Sequence, residues 1–304
     1  VIRLIEGQEE VFNVTVGFRP RQVEFSPDGA TAYVITEDGI SLLDLQGMAS
    51  GVVAPTVPVS LDPISEGMPE EVVVSPDGQY AFARWASESS VRSVELSTGA
   101  LVDTPLSAPA TDIDVTPEGK RLVAVSRQTS EVAVMDIPDH IGDASRLLRI
   151  DCSPGVVGSS VVLPSGREAL AFTNATNDKQ IHLLDLMTGE KQSALLRKGI
   201  RTLALAPDGH TALVLHNKIP GDPQPSDDFE TQLDKRYGFS LVMVDTLFSK
   251  LQITEVDPGM FAYLPDSTQG YLLLADANLP MRSVLELDLE SFIVYEYVVS
   301  STPE

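Results

Sequence analysis

"VEFSPDGATAYVITEDGISLLDL", residues 23–45, holds an apolar run, a Ser-Pro-Asp-Gly turn, a second apolar run, an acidic gap and a third run closing on Asp44 and Leu45. In the turn, Pro27 sets φ at the second position, Asp28 can bond the turn backbone, and Gly29 accepts the positive φ that ends such a loop. The flanking runs are rich in Val, Ile, Tyr and Phe and too short for helices, so they read as strands. The turn recurs as "VSPDG" at Pro76, "VTPEG" at Pro117, "VLPSG" at Pro164, "LAPDG" at Pro207 and "YLPDS" at Pro265, with spacings of 49, 41, 47, 43 and 58 residues. A second column follows each turn without gaps: "ISLLDL", "VRSVEL", "VAVMDI", "IHLLDL", "LVMVDT" and "VLELDL", carrying Asp44, Glu95, Asp136, Asp185, Asp245 and Asp288. A period in the forties with several short apolar runs per unit is the pattern of a β-propeller blade.

Each unit therefore reads as four antiparallel strands. Strand A precedes the turn, B follows it, C ends in the acidic column, and D is a segment such as residues 99–108. The expected fold is all-β, a propeller whose blades seal their apolar faces against one another. Six complete units occupy residues 18–304. Residues 1–17 align as strands C and D of a closing blade, which makes seven blades in a single domain spanning 1–304. Strands A and B of the seventh are expected beyond residue 300 in a longer chain; an incomplete blade, or strands lent by a partner, are the alternatives. The acidic column could be taken for a carboxylate ring. Strand C lies well out from the axis, however, so these groups are expected to bond turn backbone instead.

The units resemble the YVTN-type propeller repeats, close to WD-repeat and lactonase-like propellers. "SPDGATAYVITEDGISLLDL" and "FTNATNDKQIHLLDLMTGE" carry the resemblance best, and it extends over residues 18–300. The tetrapeptide itself does not occur; Tyr33-Val34-Ile35-Thr36 and Phe172-Thr173-Asn174 come nearest. The motif is structural and transfers no catalytic residue. It implies an extracytoplasmic binding propeller, with enzymes a minority on related folds.

Composition narrows the partners. The formal net charge of −23 opposes phosphate backbones and anionic lipid, so nucleic acid is not an expected partner. No apolar stretch reaches membrane-span length. The single cysteine, Cys152, excludes an intrachain disulfide and a paired-cysteine zinc site.

Topology places B–C loops and D–A links on one face, where loop variation is greatest. The D–A links bring Arg21, Glu70, Glu71, Asp112, Ser159 and Arg201 toward the channel mouth. The B–C loops bring Glu37, Asp38, Trp85, Arg127, Asn174, Asp178, His216, Lys218 and Arg282. Trp85 is either an exposed binding anchor or packed beneath its own loop. Arg21, Glu71, Asp112 and Arg201 are expected to form a salt-linked plug rather than an active site. An insertion at 217–238 separates strands B and C of the fifth unit: Pro207 to Asp245 spans 38 residues, against 19 from Pro117 to Asp136. It carries a short helical pattern near Asp227–Lys235 and reads as a lid or partner-contact arm. Its "DDFE" could offer oxygens to calcium, but lacks the alternating ligands of a calcium loop, so no cofactor is expected. The four histidines do not cluster, and nucleophile-elbow and phosphate-loop patterns are absent.

The functional expectation is a non-enzymatic binding or scaffold propeller that recognises a protein, peptide or glycan through the B–C/D–A face. The alternative is a propeller enzyme, a lactonase-like hydrolase or a periplasmic dehydrogenase subunit, recruiting Glu71, Asp112 and His216.

Overall fold

The structure is a computed structural model that describes residues 2–5, 8–11, 13–49, 58–61, 67–275 and 281–300; for residues 2–5, 8–10, 49, 275, 281, 282, 299 and 300 it describes the backbone alone. The chain begins with a hairpin, β1 (Ile2–Ile5) and β2 (Gln8–Val11), paired antiparallel. A three-stranded sheet follows, β3 (Gln22–Phe25), β4 (Thr31–Thr36) and β5 (Gly39–Asp44), closed by a short helix α1 (Leu45–Ala49). Next come β6 (Glu71–Val74), β7 (Tyr80–Arg84), β8 (Ser90–Glu95) and β9 (Leu101–Pro105), then β10 (Asp112–Val115), β11 (Arg121–Ser126), β12 (Glu131–Asp136) and β13 (Leu148–Asp151). They are followed by β14 (Ser159–Val162), β15 (Glu168–Phe172), β16 (Gln180–Asp185) and β17 (Lys191–Leu195). The fifth repeat gives β18 (Ile200–Leu205), β19 (Thr211–His216), α2 (Phe229–Asp234), β20 (Tyr237–Met243) and β21 (Phe248–Thr254). The last gives β22 (Pro258–Tyr263), β23 (Gln269–Ala275), β24 (Met281–Asp288) and β25 (Val294–Ser300).

Among the described residues, five sheets have four strands in simple sequence order, and the first repeat has three. That is one strand fewer than the six complete units expected. The fourth place in the first repeat is held by a single bridge, where Ile40 and Val59 exchange backbone bonds of 2.9 and 2.8 Å; residues 51–57 lie outside the described residues.

The turns form for the reasons their residues dictate. Ser26 N–H donates to the Thr31 carbonyl at 2.9 Å, Gly29 N–H returns to the Ser26 carbonyl at 2.8 Å, and Asp28 Oδ1 accepts from Ser26 Oγ at 2.6 Å and Ala30 N at 3.0 Å. Ser75, Asp77 and Gly78 repeat the pattern. The Ser26 hydroxyl, then the Ala30 N–H, holds the Asp28 carboxyl below its usual range. Glycine is required at this corner twice over. Gly209 has φ +76°, and a Cβ there would meet Pro164 Cδ at 2.7 Å, in the preceding repeat's turn. The acidic column also works as turn chemistry. Asp185 accepts from Met187 N and Thr188 N at 2.8 and 2.9 Å, and Asp288 from Ser291 N and Glu290 N at 2.8 and 3.1 Å.

The described residues form two compact units: Val1–Thr129 with Ala133–Leu147, and Ser130–Val132 with Leu148–Glu304. In the first, Tyr33, Ile35 and Ile40 of one sheet pack against Val72, Ala81 and Val94 of the next, and Phe82 and Val91 against Ile113, Leu122 and Met135. In the second, Leu170, Ile181 and Leu184 lie among the fully buried side chains, and Leu213, Phe239 and Leu241 pack on Leu272, Leu285 and Leu287. Central strands are buried on both faces, as in β19, whereas outer strands such as β17 are largely exposed. Full burial of one such Leu or Phe contributes about 1.5–3 kcal/mol, so facing sheets rather than single hairpins carry the stability.

Inner strands leave N–H groups along an edge, and carboxylates from the preceding sheet cover them. Glu24 Oε2 accepts from Val74 N, and Glu71 Oε2 from Ile113 N, each at 3.2 Å. Burial raises the Glu24 pKa despite the Val74 bond. In the second unit Tyr263 of β22 ties to the two first strands of the preceding sheet, donating to the Ala204 carbonyl of β18 at 3.0 Å and accepting from Leu213 N of β19 at 3.1 Å.

Candidate functional site

In the first unit, two concavities lie beside Trp85. One, of 210 Å³, is lined by Glu37, Asp38, Leu61 and Trp85. The other, of 400 Å³, is lined by Arg21, Met68, Glu70, Trp85 and Ser87. Trp85 is 4% exposed, and its Nε1–H donates to the Gly67 carbonyl at 3.2 Å. It is therefore a packed wall of both cavities rather than a protruding anchor. The reason is local: Arg92, itself buried, stacks over the indole at 5.8 Å while pairing bidentately with Asp103 at 2.7 Å.

Three of the four residues expected to form a salt-linked plug have ion-pair partners outside that set. Glu71 takes Arg84 Nε at 2.7 Å and Arg21 reaches Glu37 at 3.8 Å. In the second unit Arg201 pairs with Asp257 at 2.6 Å and donates to the Pro258 carbonyl at 2.7 Å. Each of these three charges finds a partner within its own sheet or an adjacent one, which needs less side-chain ordering than convergence on an axis. Asp112 opens β10 opposite Val125. Arg127 lies just beyond β11, its Nε buried without a hydrogen-bond partner among the described residues.

The second unit joins two of the predicted side chains. Asn174 and Lys218, from successive B–C loops, line one cavity of 390 Å³ with Thr176, Asn177, Asn217 and Pro220. Its walls are held from behind. Asn217 Nδ2 donates to the Ile200 carbonyl at 3.0 Å, and the Lys218 ammonium lies 5.2 Å from the Tyr237 ring centroid while donating to the Gly221 carbonyl at 3.0 Å. Arg282 falls on β24 opposite Val299, and its side chain lies outside the described residues.

His216, read as a possible base, is 1% exposed with both ring nitrogens engaged. Nδ1 lies 3.2 Å from the Gly199 carbonyl and Nε2 2.7 Å from Ser240 Oγ. The carbonyl requires N–H at Nδ1, so Nε2 accepts from the serine. Burial drives its pKa down to about 4, which keeps the ring neutral and structural.

Sequence reasoning passed over Lys198. It is fully buried, its Nζ donating to the Leu233 carbonyl at 2.8 Å near the C-terminal end of α2, and burial lowers its pKa to about 8. Lys179 grips the same helix through Glu230 at 3.2 Å and Asp234 at 3.1 Å. Asp228 caps α2 by accepting from Thr231 N at 2.7 Å, and Asp227 pairs with Lys235 at 2.8 Å. The "DDFE" carboxylates thus each have a protein partner. The insertion is clamped to its unit by Lys179, from the β15–β16 loop, and Lys198, from the β17–β18 link. Cys152 is buried, and burial pushes its thiol up to about 11, away from nucleophilic use.

No family model matches the chain, and no curated protein does. Solved structures do. One similar to this chain is Kuenenia stuttgartiensis hydrazine synthase, at 18% identity and a TM-score of 0.57, covering 95% of this chain and 81% of that one. Another is the β-propeller domain of Myceliophteria thermophila Cps50 (Swd1), at 16% identity and a TM-score of 0.54, covering 96% of this chain and 90% of that one. At such identities the likeness establishes the fold: the chain is a β-propeller of antiparallel sheets.

Proposed function

We infer that this chain is a binding propeller that presents the loops following strands B and D to a protein, peptide or glycan. The carrying observation is the 390 Å³ cavity that Asn174 and Lys218 line together, one wall of it the first residues of the clamped insertion. Amide, hydroxyl and ammonium groups around a concave floor, on a rigid sheet frame, suit recognition of a polar ligand. Of the three residues the hydrolase alternative would recruit, His216 is sealed and Glu71 is bound to Arg84 and Ile113 N, which leaves that reading to rest on Asp112.

Peptide-display and glycan arrays test this reading. A ligand selected by the native protein should lose affinity about tenfold or more with Asn174→Ala plus Lys218→Ala, which is the scale of a small hot spot. Asp208→Asn, in the β18–β19 turn at the other end of β19 from Lys218, should leave it unchanged. A ligand sensitive to Asp208 and indifferent to Asn174 and Lys218 would refute the assignment.

A further inference from the structure

The last two sheets of the second unit are joined tightly at one end and part at the other. At the joined end, Phe248 stacks on Phe292 with centroids 6.5 Å apart, and Lys250 Nζ donates to the Phe292 carbonyl at 2.7 Å. At the other end, the last residues of β21 with Glu255 and Val256 and one face of the β22–β25 sheet border a cleft of 410 Å³. Strand register makes that face continuous. Ser283 lies opposite Leu274 and Val298, and Leu285 opposite Glu296. Ile253, Val256, Leu274, Leu285, Val294 and Val298 give the cleft apolar walls. Ile253 and Val298 remain 37% and 59% exposed, so this apolar surface is open to a ligand. Among the described residues, the charged side chains lining it are Glu255 and Glu296. The neighbouring ammonium of Lys250 is held at the far end by Phe292.

We propose that this cleft docks an extended basic peptide segment, its apolar side chains entering between β21 and the last sheet and its cationic groups meeting Glu255 and Glu296. Charge complementarity selects this occupant. An acidic or purely hydroxylic ligand would face two carboxylates without a compensating cation among the described lining side chains, and a cationic one is attracted by a protein of net charge −23. The apolar walls demand more than charge, which distinguishes the site from general attraction to an acidic surface. The site uses no residue of the Asn174–Lys218 cavity, so each stands or falls independently.

Fluorescence anisotropy with three labelled nonapeptides provides the test: alternating Leu–Lys, alternating Ser–Lys and alternating Leu–Glu. The Leu–Lys peptide should bind saturably. Ser–Lys should bind at least about tenfold more weakly, because it lacks the apolar contribution, and Leu–Glu should not bind. Glu255→Gln with Glu296→Gln, both at the rim, should weaken Leu–Lys binding about tenfold and reduce its salt dependence. Ser283→Trp, which fills the floor, should abolish binding, with thermal melting reporting whether the variant folds. Asn174→Ala with Lys218→Ala should have no effect here. Failure of Leu–Lys to saturate, or saturation indifferent to the double Gln variant, overturns the proposal.

Discussion

At the scale of single residues, burial decides which polar groups do chemistry and which do architecture. His216 is the clearest case. Its folded pKa, about 4, lies below the ordinary 6.5. Above pH 6.5 the ring is neutral folded or unfolded, and its contribution is complete. As pH falls, the unfolded chain takes up the proton first, so stability is lost between 6.5 and about 4, by an amount on the order of 3 kcal/mol. Thermal melting from pH 7.5 to 4.5 should therefore show the native protein losing ground to His216→Gln across that window; parallel curves would contradict the argument. Ser267 poses a different balance. It occupies φ +58°, where the other repeats have Gly, yet its Oγ accepts from Asp208 N at 2.9 Å in the neighbouring turn. Ser267→Ala loses the bond and keeps the strain, and should cost about 1–2 kcal/mol. Ser267→Gly loses the bond but relieves about 1 kcal/mol of backbone strain, and should melt close to the native protein.

At the scale of elements, the insertion behaves as a docked helix whose hold is electrostatic. α2 has six residues and none of them is buried, so it has little apolar face to secure it. Helices this short are marginal on their own, and what keeps α2 in place is Lys179, Lys198 and the Asp228 cap. Lys179→Ala removes two partly exposed pairs worth about 1 kcal/mol together. Hydrogen exchange should then quicken roughly fivefold over residues 229–235, with the melting temperature of the whole chain nearly unmoved. A large drop in global stability, or unchanged exchange, would show that the helix is held some other way.

At the scale of the whole molecule, sheets must be coupled to one another, because no one of them buries its own faces. Glu71 is such a coupler, joining Arg84 in its own sheet to Ile113 N in the next. Glu71→Ala strands a mostly buried guanidinium and an edge N–H, and should cost about 2–4 kcal/mol; Glu71→Gln keeps the acceptor and should cost less. Denaturant titration of the two variants checks the order. The charge of −23 acts over the same scale. Between 0.01 M and 1 M salt the Debye length contracts from about 30 Å to about 3 Å, so self-repulsion fades. The melting temperature should rise by several degrees across that range in sodium chloride, and a fall would mean that ion pairs outweigh repulsion.

Much of this protein was determined by its sequence alone. The turn at Pro27 and its five echoes, the acidic column and the apolar runs between them are local codes. Each is read over a few residues, and strands of period two with Pro-Asp-Gly corners have few other folds open to them. That is why β6 to β23 follow the four-strand repeat, and why Asp185 and Asp288 bond turn backbone. The site was legible only as a rim. Tertiary structure alone decided that Asn174 and Lys218 share a cavity, that Trp85 lies under Arg92, that His216 is sealed, and that a buried Lys198 clamps the insertion. It alone opened the cleft between β21 and the last sheet. The reason is physical: which side chains meet across sheets, and how much water each retains, depends on packing between residues tens of positions apart, and no local pattern encodes it.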